Sequence, residues 1–338
     1  MPFAIIAPPL EAQEKFLWAE YTRADLDDVH ALFQELNHAD DADHSESVQD
    51  LATQFDDPWL EPRVGARVIR DAFGKLRAFV RVFVNPKPER ENLAVVDWAV
   101  APEWRGQGLE EEILAWSEDN ASRRLAQAAS LAPDENIPAV IRVSALASES
   151  GKIKLYQTHG YRNVRAFYKM QRSLRDLIPD APLADGLVLR EYDESLDEKM
   201  CQAYNEAFEE HWGHITIPQQ EWQPFVMGVS TVRRDLTFVV MDGDALVAFC
   251  INCERVAENE RLNIRRGWTT RLGTRPAWRK RGLATFLLAE SMRRFRAEGF
   301  EFAGLGVDAE NDTGALALYE RLGYRAYKTR FMFEKRAG

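Results

Sequence analysis

Cysteine is scarce in this chain. Cys201, Cys250 and Cys253 are the only three among 338 residues, too few for a disulfide framework, so a reducing cytoplasm is the expected setting. The last two form Cys-x-x-Cys within an apolar run that reads as a strand. Three-residue spacing on a strand sends the side chains to opposite faces, so a shared zinc has no basis without a second ligand pair. Long apolar runs are also missing. Nothing approaches the roughly 20 residues that cross a bilayer, and the mildly apolar Met1–Leu10 has neither a basic start nor a real hydrophobic region. Basic charge is short as well, with 43 Lys and Arg against 54 Asp and Glu and a formal net charge of -11. That balance argues against a nucleic-acid partner, since duplex binding rests on many cation–phosphate contacts. No Gly-x-x-x-x-Gly-Lys-Ser/Thr occurs, and no Gly-x-Gly-x-x-Gly follows the first strand, which weakens nucleoside-triphosphate and dinucleotide readings.

What is present describes a soluble globular chain, with 46% apolar and 29% charged residues, long enough for two domains. An internal repeat supports that division. Pro102, Trp104, Arg105, Gly108 and Leu109 recur as Pro276, Trp278, Arg279, Gly282 and Leu283, at an offset of 174. Leu155-Tyr156 and Gly160-Tyr161 recur as Leu318-Tyr319 and Gly323-Tyr324, at an offset of 163. Two blocks in the same order twice indicate duplication. The first copy's surplus falls in the polar stretch 121–138. The boundary falls where Pro179, Pro182 and Gly186 interrupt the pattern, giving domains 1–176 and 187–338 with a linker at 177–186.

Each half alternates strands and helices in one order. In the first, strands are expected at 18–22, 64–69, 78–84, 94–100, 139–145 and 165–171, with helices from Asp25 to about Asn37, at 109–126 and at 152–158. In the second, strands fall at 187–191, 236–241, 245–253, 267–274, 302–307 and 327–333. Helices there fall at 197–208, 283–298 and 314–321, the middle one with a stripe of Leu283, Phe286, Leu287, Glu290 and Phe295. This is a mixed α/β layer fold, strands and helices around one sheet per half.

Between a strand and a helix lies Arg279-Lys280-Arg281-Gly282-Leu283-Ala284. Small residues let the backbone approach a ligand, and a helix start offers unpaired N–H groups and partial positive charge, a setting for a pyrophosphate. Such a turn is, by itself, also an ordinary helix start. In context it resembles the acetyl-CoA turn of the GNAT N-acetyltransferase superfamily, Arg/Gln-x-x-Gly-x-Gly/Ala. It follows Leu272-Gly273-Thr274-Arg275-Pro276 and precedes Asn311 and Leu318-Tyr319-x-x-x-Gly323-Tyr324 at the family's distance. The resemblance covers nearly the whole chain, twice, and is similar to tandem members of that family.

The resemblance implies two GNAT domains, each a splayed mixed sheet flanked by helices, with the cofactor between two parted parallel strands. Leu272, Gly273 and Thr274 would pair with the pantetheine arm. Arg279, Lys280, Arg281, Gly282, Leu283, Ala284 and Thr285 would hold the pyrophosphate. Asn311 would face the pantetheine, and Tyr319 would sit near the sulfur as general acid. The implied activity is direct transfer of acetyl from acetyl-CoA, the only cofactor expected, to a primary amine of a small molecule, with no metal. A CoA-sensing protein on the same fold is the alternative. Candidate bases are Glu209, Glu210, His211 and Glu254, or water, and His211 beside Trp212 is equally a substrate contact or a packed residue.

The first half departs from the family turn. Glu110 stands where Gly or Ala is expected, and Ser148 and Glu149 occupy the region of the asparagine. Arg105, Gly106, Gly108 and Tyr156 therefore mark at most a weak second cofactor site, and the second half is expected to be the catalytic one. The acidic run His38, Asp40, Asp41, Asp43 and His44 lacks fixed metal-ligand spacing and reads as a solvated loop. No membrane or nucleic-acid partner is expected, and the chain reads as a monomer or homodimer.

Overall fold

The computed structural model describes residues 16–42, 44–86, 88, 91–130, 137–311 and 314–337. Met1–Leu10, Asp43 and most of the loop before Pro138 lie outside the described residues. The chain divides into two compact units, Met1–Val143 with Glu334–Gly338, and Ser144–Phe333. These units cut across the repeat, because the first copy's last helix and last strand belong to the second unit.

The first unit runs β1 Leu17–Glu20, α1 Leu26–Asp40, α2 Val48–Phe55, α3 Pro62–Gly65, β2 Ala66–Arg70, β3 Leu76–Val84, β4 Asn92–Val100, α4 Leu109–Ala129 and β5 Ala139–Leu146, the last crossing into the second unit. Its strands lie in the order β1-β2-β3-β4-β5. All neighbours are antiparallel except β4 and β5, which α4 joins as a parallel crossover.

The strand expected to start at Val64 starts at Ala66 instead. Pro62 opens the one-turn helix α3 and Glu61 takes a left-handed φ of 47° before it. Gly65 then sits where a Cβ would lie 2.0 Å from the Leu60 carbonyl oxygen. The helix α2 places Val48, Leu51, Ala52 and Phe55 on one face, but at eight residues it is shorter than the window in which a helical period is read. Ser47 and Asp50 start it with a reciprocal capping box.

The second unit runs α5 Ser150–Thr158, β6 Arg162–Ser173, β7 Leu187–Glu191, α6 Asp197–Phe208, α7 Gln219–Trp222, β8 Phe238–Asp242, β9 Ala245–Glu254, α8 Val256–Leu262, β10 Arg266–Thr274, α9 Leu283–Ala297, β11 Phe302–Asp308, α10 Ala315–Arg321 and β12 Arg325–Arg336, nearly all of the last. Its strands follow the order β7-β8-β9-β10-β11-β6-β12. β10 and β11 are parallel across α9, and β6 is antiparallel to β11.

The helix α9 buries Leu283, Phe286, Leu287, Leu288, Met292 and Phe295 against one face of this sheet. Glu290, counted in that apolar stripe, instead accepts a hydrogen bond from Arg294 Nε at 2.9 Å. Burying such side chains contributes about 1.5–3 kcal/mol each and anchors the start of α9 over β10. Gly267 makes the close approach possible, since a Cβ there would lie 2.5 Å from the Phe295 ring. Gly267→Ala is therefore expected to cost about 1–3 kcal/mol by overpacking, seen as a lower urea midpoint with an unchanged slope.

Candidate active site

Register alone shows a gap between two strands. β10 and β11 pair from Arg266 and Phe302 up to Thr269 and Leu305, and no farther. Beyond that point β10 stays with β9 to Thr274, and β11 stays with β6 to Asp308. The separation begins at an irregularity, where Thr270 is the extra residue between pairs Thr269–Asn252 and Arg271–Ile251. A bulge of this kind bends a strand and frees its edge. Thr270 Oγ1 donates to the Ile251 carbonyl at 3.1 Å, tying down the extra residue. Beneath it, Asn252 joins Thr269 at 2.8 Å and Ser291 of α9 at 3.0 Å in a buried polar knot. Cys250 belongs to that knot, with Sγ 3.1 Å from Ser291 Oγ.

A cavity of about 810 Å³ opens at the parted ends, within the size range of small-molecule sites. Leu272, Gly273 and Thr274 form one wall, and Gly273 packs so closely that a Cβ would lie 2.2 Å from Phe249. Arg279, Lys280, Gly282, Leu283, Ala284 and Thr285 form the next. Lys280 and Gly282 both take left-handed φ, 63° and 79°, an unusual conformation for a lysine that coils the turn around its own amides. No side chain caps α9, so the amides of its first turn have no partner within the helix. This cradle fits an anionic diphosphate.

Two expected cations behave differently from the reading above. Arg279 is tied to the end of α6, donating to Glu210 Oε2 at 2.8 Å and to the Ala207 carbonyl at 3.1 Å. Arg281 does not line the cavity and donates to the Ala277 carbonyl at 3.3 Å. Arg321 of α10 does line it, a residue that the repeat gave no reason to select.

Tyr319 reaches the cavity from α10. Burial pushes its phenol up to about 12, so it carries its proton throughout the neutral range. His211 also lines the cavity, and burial holds its imidazole below the usual value, favouring the neutral form. Its Nε2 accepts a hydrogen bond from Asn311 Nδ2 at 3.0 Å. The pair thus joins two residues that the sequence offered for separate tasks. Glu209 is not among the lining residues. Glu210 is engaged with Arg279, and Glu254 accepts from Arg233 at 2.8 Å.

Sequence reasoning missed Asp308 and Arg165. Asp308 ends β11 with a buried side chain, and Arg165 of β6 lies 3.7 Å from it and 5.5 Å above the Trp212 ring. The position of Asp308 at the tip of a parting strand was a usable signal. Arg165 had none, because it comes from the other repeat.

In the first unit the equivalent turn is closed by its own side chain. Gly106 and Gly108 keep the left-handed φ values, 65° and 92°. Glu110 Oε1, however, accepts the Gly106 N–H at 2.9 Å, taking an amide offered to a phosphate. Arg105 forms a two-pronged pair with Asp40, at 3.1 and 2.5 Å. Tyr156 lies in the second unit, 1% exposed, its ring 5.6 Å from Phe333 and 5.7 Å from Tyr161. Elsewhere in the first unit, His44 stacks on Phe33 at 4.0 Å. Among the described residues, no group of three or more His, Cys, Asp or Glu is placed to hold a metal ion, and no helix is long and apolar enough to cross a membrane.

Parted parallel strands, an uncapped helix start and a tyrosine across the cleft define an acyl-CoA-binding transferase fold. The chain belongs to the acetyltransferase (GNAT) family, whose model matches residues 26–161 and again 198–324. It is 30% identical over 195 residues to the mycothiol acetyltransferase of Streptomyces scabiei (strain 87.22), covering 57% of this chain and 61% of that protein. The mycothiol acetyltransferase of Salinispora tropica is 28% identical, with 56% of its length covered. The chain thus spans less than two thirds of these relatives. That of Saccharopolyspora erythraea is 23% identical over 79% of this chain and 84% of its own. A GCN5-related N-acetyltransferase from Sphaerobacter thermophilus superposes with a TM-score of 0.70 at 24% identity, covering 96% of each chain. A tandem GNAT protein from the clavulanic acid biosynthesis pathway gives 0.68 at 14% identity, over 96% of this chain and 99% of that one. At these identities the structural likeness speaks for the fold.

Proposed function

We propose that the protein is an N-acetyltransferase, moving acetyl from acetyl-CoA to a primary amine of a small molecule in the cavity of the second unit. The observation that carries this reading is the parting of β10 from β11 directly beside an uncapped helix start. Acetyl-CoA supplies an activated acyl thioester when bound. The amides of residues 280–285 hold its diphosphate, and the free edge of Leu272–Thr274 aligns its pantetheine arm. A backbone N–H of that edge serves the developing oxyanion.

A C–N bond forms and the C–S bond breaks. Tyr319 donates a hydrogen bond to the departing sulfur as charge develops on it, and the proton lost by the amine goes to water or to His211, whose neutral imidazole takes it at Nε2 once the bond from Asn311 gives way. In that role His211 makes the rate rise with pH through a value below the ordinary 6.5 or so of histidine. Relatives named mycothiol acetyltransferase make an acceptor of the mycothiol type the first to assay.

The test is calorimetric titration of CoA followed by thiol release from acetyl-CoA over a panel of amines. Micromolar binding with amine-dependent release is expected. Tight binding with no release by any amine makes the protein a CoA sensor instead. Absence of CoA binding ends both readings.

A further inference from the structure

Arg271 has no part in the cofactor site just described, yet it stands where β10 has already left β11. Its register partner Ile251 belongs to the apolar core under α6, so Arg271 lies on the sheet face opposite α9. It makes no ion pair with any described residue. Nη1 donates to the Thr270 carbonyl at 3.2 Å, and Nε is buried without an acceptor. A half-buried guanidinium without a carboxylate is costly to keep unless it serves an anion.

The same face holds Trp268, 2% exposed. Around its ring lie the guanidinium groups of Arg255 and Arg266, at 4.2 and 5.0 Å, and the ammonium of Lys169 at 5.3 Å. Arg255 and Arg266 share one carboxylate, Glu258, at 3.6 and 3.4 Å. Trp268 Nε1 and Arg266 Nε are buried donors without an acceptor. Next to them β11 presents two glycines. A Cβ at Gly304 would lie 3.1 Å from the Trp268 ring, while Gly306 is exposed in mid-strand beside the gap, opposite Lys169.

We infer that this face is the acceptor side of the site, and that Arg271, helped by the field of Arg255 and Lys169 beside Trp268, holds an anionic oxygen group of the acceptor. The substrate class is thus a primary amine that also bears a carboxylate or a phosphate monoester. Arginine suits both by two-pronged hydrogen bonding. The bare strand at Gly306 gives the amine a path to an acyl group lying between the parted strands. This inference rests on the acetyltransferase reading.

It is tested on the full chain saturated with CoA, by calorimetry at constant ionic strength with two matched pairs. One pair is O-phosphoethanolamine and ethanolamine; the other is β-alanine and its amide. In at least one pair the anionic member binds about tenfold or more tighter, and which pair responds identifies phosphate or carboxylate. Arg271→Gln reduces that preference to threefold or less, Arg271→Lys restores part of it, and both leave CoA affinity within about twofold. Equal binding within both pairs, no binding by any member, or a preference untouched by Arg271→Gln overturns the inference. Loss of CoA affinity in Arg271→Gln also overturns it, by assigning the arginine to the cofactor. Failure of the wild-type chain to bind CoA at all is a different result, one that removes the acetyltransferase reading itself.

Discussion

Tyr319→Phe is expected to slow acetyl transfer about 100-fold while moving the CoA dissociation constant by less than about twofold. The phenol lines the cavity from α10, and the remaining ring keeps its edge-on contact with Tyr324, 6.2 Å away. Removing one oxygen therefore leaves the packing in place. The magnitude follows from the acidity. At about 12 the phenol is a weaker acid than a thiol near 8.5, by about 3.5 units or about 5 kcal/mol. Full proton transfer to a free thiolate is thus uphill. Tyr319 acts by a hydrogen bond that tightens as charge develops on the sulfur, which places the loss at the low end of the general-acid range.

The sign of the pH dependence follows as well. An acid must hold its proton, and Tyr319 loses it only as pH rises through about 12. Below that pH, Tyr319 adds no falling limb to the rate profile. Steady-state kinetics from pH 6 to 10, with calorimetry on both proteins, checks this. A rate and an affinity that drop together, or a rate that does not drop, would exclude the acid role.

Ala284→Glu is expected to weaken CoA binding by about 100-fold, equivalent to about 2.7 kcal/mol. The first repeat already displays this substitution. Glu110 holds the position equivalent to Ala284, and it folds back onto the N–H of Gly106, the equivalent of Lys280. The two turns share their left-handed backbone at both positions. A glutamate at 284 therefore has the same amide within reach and sets a negative charge where the diphosphate belongs. Folding is expected to change little, since an acidic residue in the first turn of a helix is favourable. The converse, Glu110→Ala, releases the Gly106 amide. Calorimetry on both variants decides, and unaltered CoA affinity in Ala284→Glu would place the diphosphate elsewhere.

Much of this site was legible because its chemistry is local. The turn that lines the cavity is built from consecutive residues, so Lys280, Gly282 and Ala284 mark it in the sequence wherever the chain goes. Tyr319 could be found because its local block, Leu-Tyr-x-x-x-Gly-Tyr, repeats at Tyr156 in the same order after the turn. Less legible were the groups that depend on packing. The guanidinium of Arg279 belongs to Glu210, 69 residues away, and Asn311 meets His211 across 100 residues. Short helices such as α2, α7 and α8 lack the length that makes periodicity visible.

From the order of residues alone came the duplication, the sequence of strands and of three helices in each half, the glycine-dependent turns and the replacement of a small residue by Glu110. Each depends on contacts within a few positions, or on a direct comparison of two stretches. Which sheet receives a strand is a different matter, because hydrophobic alternation marks a strand without naming its neighbour. Only the tertiary structure set β6 of the first repeat against β11 of the second, brought Arg165 to the cavity and left Arg271 beside the gap without a carboxylate among the described residues.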